Sequence, residues 1–194
     1  PEGLENLPYN GAAQALIKAG NATGGTMVYS LAENGTYTAD IPTKKDAGTY
    51  TVYYMVKGDA NHSDSAVGNV TVDIGPKQVK DPTIELLNAD GTPFNSCVYD
   101  GSPQEPPKIV VRDGSTEIPG AEYTVQYLDN VNAGKASVQI KDNLNGNYTV
   151  TGSAQFDILK ADIVFNPEPE PNDWTYDGQA HALLDPAGRA TGGE

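Results

Sequence analysis

Along most of the chain, apolar and polar residues alternate with the period of a β-strand. Tyr50, Val52, Tyr54 and Val56 share one phase, and Thr49, Thr51, Tyr53 and Met55 the other. Val70, Val72 and Ile74 alternate with Thr71 and Asp73. The same pattern recurs in Tyr123, Val125 and Tyr127, in Ala136, Val138 and Ile140, and in Ala154, Phe156 and Ile158. Successive strand side chains point to opposite faces, so these runs predict strands with one face toward a core. Val52, Tyr54, Val72, Val125, Val138, Phe156 and Ile158 are the expected core positions. Asn34-Gly35, Asp90-Gly91, Asp113-Gly114 and Asn145-Gly146 punctuate the runs with hairpin-type turn signals. No window carries a long apolar stripe at helical spacing. The segment from Ala12 to Ala19 suits a short helix or a strand about equally.

The chain also repeats itself. Tyr9-Asn10-Gly11 returns as Tyr99-Asp100-Gly101 and again as Tyr176-Asp177-Gly178. Asp46-Ala47-Gly48 corresponds to Asn132-Ala133-Gly134, each ahead of an alternating run, and Val72-Asp73-Ile74 corresponds to Phe156-Asp157-Ile158. Ala15-Leu16 and Ala22-Thr23-Gly24-Gly25 find partners in Ala182-Leu183 and Ala190-Thr191-Gly192-Gly193. The expected organisation is one unit over 1–76, a second over 77–160, and a linker with the opening of a third over 161–194. A spacing of about 80 residues is too long for a solenoid coil and suits tandem small domains. The third unit is expected to continue beyond the chain. Its opening strands would either pack on the second unit or project as a hairpin.

Composition narrows the picture. The 194 residues include 21 Gly and 14 Pro, ordinary for a turn-rich β protein. Twelve Lys and Arg face 26 Asp and Glu, a formal charge of −14. That excludes a basic surface for nucleic acid and disfavours docking to anionic membranes. No apolar run is long enough to span a membrane as a helix. Cys97 is the only cysteine, so no intrachain disulfide can form. It is expected to be a half-buried small hydrophobe rather than a nucleophile.

Lys45-Asp46-Ala47-Gly48-Thr49-Tyr50-Thr51-Val52 is similar to the Asp-x-Gly-x-Tyr-x-Cys run at the corner of immunoglobulin domains, with Tyr50 as the corner tyrosine and Val52 where the cysteine would stand. The bland alternative is a turn feeding a strand. Asn6 to Gly11, Gly24 to Leu31, Ile41-Pro42-Thr43, Asp46 to Tyr50 and Gly58 to His62 together resemble the MBG-like bacterial immunoglobulin-like repeats. Tyr99 to Ser102, Val110 to Gly114, Tyr123-Thr124-Val125 and Gly146-Asn147-Tyr148 resemble a sister repeat. The resemblance covers nearly the whole chain, although the first unit lacks an obvious strand before Tyr9. It implies all-β, tandem immunoglobulin-like β-sandwich domains, export, and a place at the bacterial cell surface, with Asp46, Gly48 and Tyr50 as a structural corner. It transfers no catalytic residue, metal or cofactor.

Candidate chemistry adds little. Asp59, Asn61, His62 and Asp64 crowd one turn, and Asp142, Asn143, Asn145 and Asn147 another. Oxygen-rich loops of this kind can bind Ca²⁺, but neither has the ordered ligand spacing of a calcium loop, and solvated turns are expected. His181 has no second histidine or cysteine pair beside it for zinc. Glu168 and Glu170 lie in Pro167-Glu168-Pro169-Glu170-Pro171, an extended linker rather than a pair of facing acids. Tyr53 and Trp174 are candidate sugar-stacking aromatics. The expected role is therefore a non-enzymatic spacer or stalk segment of a bacterial surface or secreted protein. Its partners would be neighbouring repeats of the same polypeptide, and no host or glycan ligand is identified. The alternative is a glycan- or protein-binding accessory module of a secreted carbohydrate-active enzyme.

Overall fold

A computed structural model describes residues 1–165, 175–181 and 190–191. It is all-β, with one 3-10 turn at Gly120–Glu122. The chain divides into two compact units. One comprises Pro1–Glu85, Ile109–Gln126 and Val138–Ala154, and the other Leu86–Lys108, Tyr127–Ser137 and the chain from Gln155 onward.

The first half of the chain forms β1 (Glu2–Gly3), β2 (Leu7–Pro8), β3 (Gln14–Ala15), β4 (Ile17–Lys18), β5 (Gly25–Ser30), β6 (Thr43–Lys44), β7 (Gly48–Gly58) and β8 (Gly68–Gly75). Their main sheet has the order β2-β8-β7-β5, and two small pairs, β1-β4 and β3-β6, accompany it. The long alternating run is the centre of this sheet. β7 pairs antiparallel with β8 from Gly48↔Ile74 to Tyr54↔Gly68, and with β5 from Gly25↔Gly58 to Ser30↔Tyr53. β2 runs parallel to the end of β8, with Leu7 opposite Ile74. The strand missing from the sequence pattern ahead of Tyr9 is thus two short pairings, β1 and β2.

The segment of ambiguous pattern, Ala12 to Ala19, is extended. Leu16, between β3 and β4, and Ile17, which opens β4, are buried with Tyr29, Val52, Val72 and Ile74 in one core, against which Leu7, Tyr9, Met27 and Tyr54 pack.

The later strands are β9 (Lys77–Val79), β10 (Thr83–Leu87), β11 (Ser96–Val98), β12 (Lys108–Asp113), β13 (Thr116–Glu117), β14 (Tyr123–Leu128), β15 (Gly134–Asp142) and β16 (Tyr148–Leu159). They form a sheet of order β10-β12-β13 and another of order β11-β16-β15-β14, with β9 also paired to β16. β9 lies parallel to the start of β16, with Lys77 opposite Tyr148 and Val79 opposite Val150. β11 lies parallel to its end, with Cys97 opposite Ile158. Val110, Val111, Ile118, Ala136, Val138, Ile140, Val150, Phe156 and Ile158 are buried. In the second unit Phe94 meets Phe156 edge-on, with ring centroids 5.3 Å apart. Val125 departs from expectation: at 38% exposed it is no core residue. β14 is the edge of its sheet, so alternation alone could not decide which face would be covered. Finally, β17 (Val164–Phe165) pairs antiparallel with β18 (Ala190–Thr191).

The Tyr-Asx-Gly turn has the same local geometry each time. Asn10, Asp100 and Asp177 each accept, on Oδ1, a hydrogen bond of 2.9 Å from the backbone N–H two residues on. Each following glycine, Gly11, Gly101 or Gly178, has φ between 78° and 85°. The acceptor side chain closes the turn and the glycine tolerates the left-handed backbone, which is why this residue pair recurs.

Candidate functional site

The corner residues meet where the chain enters β7. The Tyr50 hydroxyl donates to the backbone carbonyl of Asp46 at 2.8 Å. The Lys44 ammonium stands 5.4 Å from the Tyr50 ring centroid. Gly48 has φ +152°, and a Cβ there would lie 3.4 Å from the tyrosine oxygen. Val52, two residues on, is fully buried.

This corner is engaged by a single side chain a hundred residues away. Asn147 accepts the Ala47 N–H on Oδ1 at 2.8 Å, while its Nδ2 donates to Asp46 Oδ1 at 3.3 Å and to Glu122 Oε1 at 3.1 Å. Its own N–H donates to Glu122 Oε2 at 2.7 Å, and its carbonyl accepts the Lys77 N–H at 2.9 Å. Beside it Tyr148 is buried, and its ring meets that of Tyr9 edge-on at 5.3 Å and 71°. Edge-to-face rings of this kind add to plain apolar burial. Lys77 also forms an ion pair with Asp113 at 2.6 Å. That hydrogen bond raises the lysine pKa.

Local backbone chemistry delivers Asn147 to this position. Asn145 adopts φ 63°, and the Gly146 N–H closes back on the Asn143 carbonyl at 3.2 Å. A Cβ at Gly146 would lie 2.9 Å from Glu122 Oε2. Glycine there lets the Glu122 carboxylate reach under the turn and hold both nitrogens of Asn147. The turn also borders a cleft of about 380 Å³ with Ala47, Gly48, Ile74 and Pro76.

The two oxygen-rich turns have other tasks. Asp59 Oδ1 accepts from the Asn61 N–H at 2.8 Å and sits 2.7 Å from His62 Nδ1. The histidine contact, then the backbone bond, holds this carboxyl below its ordinary pKa. Asp64 pairs with Lys57 at 2.6 Å and accepts the Gly58 N–H at 2.9 Å. Each carboxylate therefore binds its own loop, and they do not converge on a common point. Asn143 and Asn147 of the second turn are likewise bonded to protein. Among the described residues, no three His, Cys, Asp or Glu side chains group so as to hold a metal ion.

Cys97 is half-buried in β11, and burial, then the nearby Asp100 charge, pushes its thiol pKa up. A raised pKa keeps it the weakly nucleophilic thiol. His181 contacts Asp177 at 2.7 Å. Tyr53 is half-buried in β7, opposite Asn69 and Ser30. Trp174, Glu168 and Glu170 lie outside the described residues.

The sequence shows Asn147 as a loop oxygen and, with Tyr148, as a repeat marker, and gives Glu122 no distinction. The readable signal was Asn145-Gly146, which announces a tight turn, directly before an amide and an aromatic. Comparison with known proteins gave no matching family model, curated protein or solved structure.

Proposed function

We propose that the chain is a non-catalytic spacer made of tandem immunoglobulin-like β-sandwich repeats of the MBG-like bacterial type, carried at the cell surface or on a secreted polypeptide. The observation that carries this reading is the contact between consecutive repeat segments through Asn147. Its side chain bonds to Ala47 and Asp46 of the first segment, and Tyr148 beside it packs on Tyr9. A spacer needs its repeats fixed to one another, and hydrogen bonds to backbone with an aromatic pair provide that. The formal charge of −14 suits it as well, since like-charged neighbouring chains repel and stay soluble.

The test is a glycan array and an affinity gel run on the whole chain alongside Tyr53→Ala and Trp174→Ala variants. The spacer reading expects no specific retention. Retention that either substitution abolishes would overturn it in favour of a binding accessory module.

A further inference from the structure

The hydrogen-bond register aligns the two repeat segments residue by residue. In the first, Leu7 lies opposite Ile74 and the Tyr9 N–H donates to the Gly75 carbonyl at 2.7 Å. In the second, Cys97 lies opposite Ile158 and the Tyr99 N–H donates to the Leu159 carbonyl at 2.9 Å. Tyr99 therefore corresponds to Tyr9, Ala161 to Lys77 and Ile163 to Val79. Likewise Asn132-Ala133-Gly134 corresponds to Asp46-Ala47-Gly48, and Gly134 repeats the unusual backbone of Gly48 with φ +146°.

In the first segment these positions meet the start of β16 or the turn that opens it. Tyr9 packs on Tyr148, and the Ala47 and Lys77 N–H groups bond to Asn147. Val79 pairs with Val150 and is only 8% exposed. In the second segment the corresponding residues Tyr99, Asn132, Ala133, Ala161 and Ile163 line a single cleft of about 510 Å³. Here Tyr99 is 39% and Ile163 58% exposed. An apolar residue at a position that is buried in the sister segment marks a face shaped for a partner.

We propose that this cleft is the docking site for the next repeat. It would receive a strand-opening Asn-Tyr turn equivalent to Asn147-Tyr148, the new tyrosine edge-on to Tyr99 and the new asparagine capping the Ala133 N–H. Residues 161–163 would pair in parallel with the incoming strand, as β9 pairs with β16. This inference rests on the tandem-repeat reading and adds to it the surface and the chemistry by which one repeat holds its successor.

The test inserts a second copy of residues 80–163 after Ile163, giving residues 1–163 followed by residues 80–194 so that the first copy keeps its cleft, and follows amide exchange and ring resonances of that first copy by NMR. Docking slows exchange at the Ala133 N–H by about tenfold or more relative to the parent chain. It also shifts the Tyr99 ring. Tyr99→Ala, or Asn147→Ala confined to the inserted copy, reverses the protection at Ala133 while both copies stay folded. Two folded copies with Ala133 exchange unchanged would overturn the docking site and leave the spacer reading standing. An inserted copy that does not fold would overturn the modular reading and the docking site with it. Concentration-dependent dimerisation of the parent chain that Tyr99→Ala abolishes would assign the face to a second copy and overturn the proposal.

Discussion

The Asn147 amide caps the Ala47 N–H across a hundred residues of chain, at 2.8 Å. The same residue is gripped from below by Glu122, at 2.7 Å and 3.1 Å. Truncating its side chain leaves the half-buried Ala47 N–H without its acceptor, although the backbone N–H of residue 147 still donates to Glu122, and an unmet group costs more than the bond itself contributes. Asn147→Ala is expected to destabilise the chain by about 1–3 kcal/mol in urea denaturation. It should also speed amide exchange at Ala47. An unchanged unfolding midpoint and unchanged exchange would show that the contact adds nothing.

The corner offers a milder perturbation. Tyr50→Phe keeps the ring beneath Lys44 and removes only the hydroxyl that donates to the Asp46 carbonyl at 2.8 Å. A single net hydrogen bond predicts a loss of about 1 kcal/mol by chemical denaturation. A loss several times larger would mean that the hydroxyl supports more than the corner.

Core and surface leucines should separate cleanly. Leu16 is fully buried, whereas Leu144 is 93% exposed. Leu16→Ala is expected to cost about 2–5 kcal/mol, through lost burial and the cavity left behind. Leu144→Ala should stay within about 0.5 kcal/mol. Equal effects at both sites would contradict the assignment of the core.

Acid sensitivity follows from the turn carboxylates. Asp59, Asp64, Asp90 and Asp100 are each held below the ordinary value of 3.8, chiefly by His62, Lys57, Thr92 and Ser102 respectively. A carboxyl whose folded pKa is depressed contributes stability above its unfolded value and loses it as pH falls through the folded one. These groups therefore leave the melting temperature level above about pH 4 and lower it below. His62→Ala should return Asp59 toward its ordinary titration, as read by carbonyl NMR. An Asp59 titration that does not move would remove the histidine as the cause.

Cys97 supplies a chemical readout of folding. Burial raises its thiol pKa. Alkylation by iodoacetamide near pH 8 should therefore run slower in the native chain than after urea denaturation. Equal rates would place the sulfur in open solvent.

The long alternating runs were legible because a two-residue period needs only local information. Tyr50 to Val56 became β7, and Val70 to Ile74 the body of β8. The two-residue pairings β1 to β4 left no such trace, because two residues are too few to show a period. Leu16 and Ile17 reached the core from a stretch whose pattern fitted helix and strand alike. Val125 kept its phase but lies on an edge strand, where cover depends on distant chain. The Asp46–Gly48–Tyr50 cluster was visible as a motif. Its partner Asn147 was not, because a contact spanning a hundred residues is set by tertiary packing.

The parallel pairing of β2 with β8 decides how their sheet would resist a pull along the chain. Pulling on β2 toward its start and on β8 toward its end draws two parallel strands past one another, straining the bonds around Leu7 and Ile74 together. β11 and the end of β16 present the same geometry through Ser96 to Val98. Tension applied along the polypeptide thus meets these rungs in shear, several at a time, instead of unzipping them singly.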